Sequence, residues 1–104
     1  KELRHPPYSA IALLRTTSPL AKHNINFLHQ VNKSAKLKSD MSIIGPIPSI
    51  ISKSRGNFRH HSIIQASSKI DLNKLIKNII VLAGSWKETK KVKWYFDIDP
   101  IDYN

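Results

Sequence analysis

Two stretches of this 104-residue chain set cations beside aromatic rings, and they are the parts best suited to chemistry with an anionic partner. Lys53, Arg55 and Arg59 flank a predicted hairpin turn, with Phe58 and His60 within a few residues. Lys87, Lys90, Lys91 and Lys93 form a second cluster at the start of the last predicted strand. Lysine and arginine neutralise phosphates, and a flat ring offers a base something to stack on; proteins that hold single strands or nucleic-acid backbones combine the two. Each cluster also has a plainer reading as a solvated face, since lysine at strand edges discourages aggregation.

Catalytic constellations are not expected in these residues. The three glycines, Gly45, Gly56 and Gly84, build neither a phosphate-cradling loop nor a dinucleotide fingerprint. His60 and His61 are adjacent on a predicted strand and point to opposite faces, while His23 and His29 diverge on a helix, so no metal is assigned to them. Asp97 and Asp99 could share a face, but no third ligand or general base accompanies them. Cysteine is absent, which removes disulfides and thiolate chemistry.

Charge points the same way as the clusters. All 17 Lys and Arg precede Asp97, so the first 96 residues carry a formal +13 from 17 cations and four carboxylates. A field of that sign attracts polyanions, which makes nucleic acid the leading partner class, although a basic surface also serves solubility. The length fits one domain. The chain opens Lys-Glu-Leu-Arg without a Met, which favours a piece of a longer protein. No apolar run approaches the roughly 20 residues of a membrane span, so no membrane partner is expected.

The elements that must hold these residues can be read in order. Residues 1–7 form a lead-in containing Pro6-Pro7, residues 8–99 the folded core and 100–104 a tail. Tyr8 to Arg15 reads as a buried strand. Ser18-Pro19 predicts a helix start, with Ser18 as cap and Pro19 in the first turn, and an apolar stripe of Leu20, Phe27, Leu28, Val31 and Ala35 carries the helix to about Lys36. Met41 to Lys53 is β-branched but broken by Gly45, Pro46 and Pro48, which predicts a strand that is kinked, at an edge, or both. Ser54 to Asn57 reads as a turn and Phe58 to Gln65 as the returning strand. Ser68 with Asp71 opens a second helix, Leu72, Leu75, Ile76, Ile79 and Ala83 form its stripe, and Gly84 suits the position just past its end. A loop over 85–90 leads to a last strand in which Val92, Trp94, Phe96 and Ile98 alternate with polar residues. The order βαββαβ predicts an α+β domain of the split βαβ, ferredoxin-like kind, a four-stranded, mostly antiparallel sheet with two helices on one face.

Several segments resemble the C-terminal domain of the primosomal protein N′ family, the replication-restart DNA helicase PriA. Arg4 with Pro6-Pro7-Tyr8 is similar to the family's lead into its first strand. Gly45-Pro46-Ile47-Pro48 resembles its G-P-x-P, Arg55-Gly56 with Phe58-Arg59 its R-G-x-aromatic-R, and Lys91 to Pro100 (KVKWYFDIDP) its V-x-W-x-x-D-V-D-P terminus. The resemblance implies a fold similar to ribosomal protein S10, in a bacterial, cytoplasmic, ATP-dependent 3′→5′ helicase whose ATP, magnesium and zinc sites lie upstream. It implies as partners branched and single-stranded DNA, primosome proteins, the helicase core of the same chain, and the acidic tail of single-stranded-DNA-binding protein. The DNA contacts it suggests are Lys53, Arg55, Phe58, Arg59, Lys91 and Lys93. Lys69 falls where an arginine of the acidic-tail pocket is expected, and lysine there offers a point charge in place of a bidentate fork. Asn57 and His60 depart from the basic or aromatic residues of relatives. A ribosomal-type RNA-binding module and a purely structural docking domain are the alternatives that fit the same fold and charge.

Overall fold

Burial alternates strictly along the first strand, β1 (Ala10–Ser18), and that period of two divides the whole sheet into a covered and an open face. The computed structural model describes residues 10–98, without the side chains of 50–54; the lead-in, Tyr8, Asp99 and the tail lie outside the described residues. After β1 come α1 (Ala21–Ser34), β2 (Met41–Ser54), β3 (Asn57–Ala66), α2 (Lys69–Ala83), a short 3-10 turn (Glu88–Lys91) and β4 (Lys93–Ile98). The strands form one sheet in the order β2-β3-β1-β4, every neighbouring pair antiparallel, so the expected α+β, split βαβ architecture is observed.

Both helices lie against the face formed by Ala12, Leu14, Ile64 and Ala66, which meet Phe27, Leu28, Val31, Leu72, Leu75 and Ile79 in one core. Burying each large side chain contributes on the order of 2 kcal/mol. The α2 stripe is buried as its spacing requires, and the Ser68 side chain accepts the Asp71 backbone N–H at 3.1 Å. β2 is both kinked and at an edge: its pairing with β3 slips between Ile44 and Ile47 and again between Pro48 and Lys53. Gly45 is required at the first slip. Its φ is +146°, and a Cβ there would stand 2.5 Å from Ser62 Oγ and 2.9 Å from Ser62 Cα.

Several local expectations fail, most of them for a tertiary reason. Ser18 does not cap α1: it remains in β1 paired with Phe58, is 2% exposed, and donates its hydroxyl to the Leu20 carbonyl at 2.6 Å. Strand pairing thus carries β1 beyond Arg15 and leaves the cap position to Leu20, which is 48% exposed and not part of the stripe. The helix also ends at Ser34, with Ala35 already extended, and not at Lys36. Gly84 stays right-handed (φ −62°), because the chain continues through turns that bring Trp86 to the Phe27 ring, 6.0 Å away, and then into the 3-10 turn where a loop was expected. Ile98 is exposed, since β4 is an edge strand and the helices pack over β1, β2 and β3.

Candidate nucleic-acid interface

The hairpin joining β2 to β3 turns in two residues, Arg55 (φ +52°) and Gly56 (φ +80°). Two successive positive φ values match the twist of the flanking strands, which is why such turns favour Asn-Gly or Gly-Gly. Arginine in the first position is an uncommon choice, since a Cβ there costs roughly 1 kcal/mol or more. Its side chain is exposed at the tip.

From the tip, β3 returns along β1, and the register places Arg59 opposite Thr17; on the other side of β1, Thr17 faces Lys93. Arg59, Thr17 and Lys93 therefore form one row across three strands, with Arg59 and Lys93 about 10 Å apart at two strand spacings. The two clusters that lie far apart in sequence thus meet at one end of the sheet. Lys90 and Lys91, on the 3-10 turn, line a depression of about 390 Å³ there together with Thr17, Asn57 and Lys93.

The same register separates residues that sequence places together. Phe58 pairs with Ser18 on the helix-covered face, and Arg59 points to the open one. Lys53 pairs with Phe58 through the backbone. Lys69 opens α2 just beyond Ala66, at the far end of β3 from the hairpin, roughly 30 Å away along the strand. It shares that end with two carboxylates: the Ser67 hydroxyl lies 2.7 Å from Asp40 Oδ2 and 3.3 Å from Asp71 Oδ2. Ser67 donating to Asp40 holds that carboxyl below its ordinary range.

The next row on the open face contains His61, Arg15 and Tyr95, none of which the sequence reading selected. Their signal was the period-2 alternation already used to find the strands. Arg15 Nε donates to Asp97 Oδ2 at 3.2 Å, an ion pair of two partly exposed side chains worth at most about 1 kcal/mol. Ser49 Oγ lies 3.2 Å from His61 Nδ1. Burial lowers the His61 pKa, with Arg15 and His60 adding to the shift, so this ring is neutral at neutral pH. Arg15, Thr17, Ser49, Arg59, His61 and Tyr95 line a shallow groove of about 750 Å³ on this face.

The covered face holds this row in place. The Asn24 amide, buried on α1, donates to the Phe58 carbonyl at 2.9 Å and lies 3.0 Å from His60 Nδ1, which accepts in the neutral tautomer. Thr16 Oγ1 donates to the His60 carbonyl at 3.3 Å. Arg59 sits between those two anchored residues. Trp94 does the same for β4: its ring is 5.6 Å from Phe27 and 6.0 Å from Phe96, and alternation then sends Lys93 and Tyr95 outward. Among the described residues, no three His, Cys, Asp or Glu gather as a metal would need, and no helix is long and apolar enough to cross a membrane.

The profile of the primosomal protein N C-terminal domain family matches residues 1–101. The replication restart protein PriA of Buchnera aphidicola subsp. Acyrthosiphon pisum (strain APS) is 30% identical over 100 residues, which cover 91% of this chain and 14% of that protein. The chain thus spans about one seventh of the length of this relative. Motifs, strand order and matched length agree, and the chain belongs to the primosomal protein N C-terminal domain family.

Proposed function

We propose that this domain serves a replication-restart DNA helicase as an accessory module that holds branched and single-stranded DNA, while ATP-driven 3′→5′ unwinding, with its magnesium and zinc, resides elsewhere in the protein. The observation that carries this reading is the convergence of the hairpin and the β4 lysines in the row Arg59–Thr17–Lys93, with Arg55, Lys90 and Lys91 around it. Lys53 belongs to the same hairpin, with its side chain outside the described residues. Arg55, Arg59, Lys90, Lys91 and Lys93 present a cationic rim to a phosphate backbone, and the counterions released on binding make affinity fall with salt.

Titrating the chain with a forked DNA by fluorescence anisotropy at several salt concentrations tests this. With about four phosphates neutralised, log K against log salt should slope at about −3. A flat response, or a clear preference for structured RNA, refutes it.

The acidic tail of single-stranded-DNA-binding protein would be captured at the other end of the sheet, at Lys69, in this reading. Asp40 and Asp71 weaken the field there, so Lys69 would act with residues of the rest of the protein. Lys69→Glu should weaken an acidic tail peptide's binding to the whole protein, and unchanged affinity removes Lys69 from that pocket. A docking role is favoured by one observation: Ile80 and Val81, adjacent near the end of α2, are 45% and 75% exposed and suited to contact with the helicase core, whereas Ile70 (68%) is separated from them on the same helix face by Lys74 and Lys77.

A further inference from the structure

Tyr95 is 59% exposed in the middle of β4, between Trp94 and Phe96, which both pack on the core. No packing requirement keeps a large ring there, and a ring is a poor choice for solubility. It stands in the row His61–Arg15–Tyr95, one step from the row Arg59–Thr17–Lys93. Leu13, one row further on and opposite Asp97, also lines the groove. The face therefore offers two cations, Arg59 and Lys93, in one row and the exposed Tyr95 ring beside Arg15 in the next.

We propose that this open sheet face is a binding site for single-stranded DNA, with the backbone running along Arg59, Thr17 and Lys93 and one base stacked on Tyr95. The assignment rests on the DNA-binding reading above and deepens it by naming the face, the strandedness and the stacking residue. The pattern matches a polymer whose one edge is charged and whose other edge is a series of planar apolar rings. A duplex presents phosphates but keeps its base faces stacked inside, so it has nothing to lay on Tyr95. Asp97, paired with Arg15 and opposite Leu13, repels phosphate at that corner and confines the backbone to the hairpin side of the sheet. Arg15 spends only Nε on Asp97 in this ion pair, and its guanidinium has further donors for a phosphate or a base edge.

The test compares the wild-type chain, Tyr95→Ala and Tyr95→Phe for binding to a labelled thymidine oligonucleotide, to the same backbone made abasic, and to a duplex. Tyr95→Ala should weaken binding to the thymidine strand about tenfold, Tyr95→Phe should restore it, and the salt slope should not change, because no charge is removed. On the abasic strand and the duplex the Tyr95→Ala effect should vanish. Arg59→Ala should lower affinity for all three and flatten the slope. If the chain binds the thymidine strand but Tyr95→Ala is neutral, or acts equally on the abasic strand, the stacking site is overturned while the DNA-binding reading stands. If no DNA binds at any salt concentration, that earlier reading falls first. Displacement of the strand by an acidic peptide at equal concentration, with the same Tyr95 dependence, would make the face a peptide site and overturn the assignment.

Discussion

Arg55→Asn should make the domain more stable and worse at holding DNA. Arg55 is the non-glycine residue with a positive φ among the described residues, at +52° in the first position of a two-residue turn. A Cβ in that conformation costs roughly 1–2 kcal/mol, and asparagine recovers most of it through its local hydrogen bonding. Asparagine is preferable to glycine as the probe, because glycine would also raise the entropy of the unfolded chain and offset part of the gain. A net gain of about 1 kcal/mol corresponds to a rise in melting temperature of about 4–8 °C for a domain of this size. The same substitution removes one cation from the hairpin tip, so the slope of log K against log salt should become shallower by about 0.7–0.9. Thermal denaturation and anisotropy on the same preparations provide both readouts. A loss of stability would show that the Arg55 side chain makes a compensating contact within the fold. An unchanged salt slope would show that the tip does not meet phosphate, and either result refutes the argument that this turn gives up stability for charge.

Other expectations follow from particular contacts. Gly45→Ala drives a methyl group into Ser62 at a φ of +146° and should cost about 3 kcal/mol, read as a lower urea midpoint; a midpoint within error of wild type would show that β2 can relax there. His60 and His61 both have lowered pKa values, His60 through burial, so below about pH 6.5 the unfolded chain takes up protons that the folded one refuses. Stability should therefore be full above that pH and fall as pH drops from about 6.5 towards 5, and a flat or rising urea midpoint over that interval would contradict the assignment. Asp97→Asn removes the carboxylate that faces Arg15 and should tighten single-strand binding a few-fold with little change in stability, because the ion pair is partly exposed; weaker binding would mean that Asp97 positions Arg15 for the strand.

Much of the fold was legible because its signals are local. Ser68 and Asp71 lie three residues apart and meet through one hydrogen bond, so the start of α2 needs nothing distant. The turn at Ser54–Asn57 is set by the φ that Gly56 permits, and the prolines of β2 announced both its kink and its edge position. Where local and tertiary preferences competed, the tertiary one won. Ser18 is a good cap by type, yet a full pairing with Phe58 and burial of its hydroxyl outweigh a cap worth about 1 kcal/mol. Asn24 reads as one polar position on a helix, and only the approach of β3 makes it the clamp on Phe58 and His60.

The sequence by itself determined the order of elements, the sign of the charge and which residue types could meet an acidic polymer, because periodicity, turn chemistry and composition are properties of neighbours along the chain. Only the tertiary structure decided which of those residues act together. Register, fixed by which face the helices cover, put Lys93 two strands from Arg59, added Arg15 and Tyr95 to them, and turned Phe58 to the opposite face. Lys69 was left at the other end of the sheet, beside carboxylates, because a strand of ten residues separates the two ends of β3 however similar their charges are.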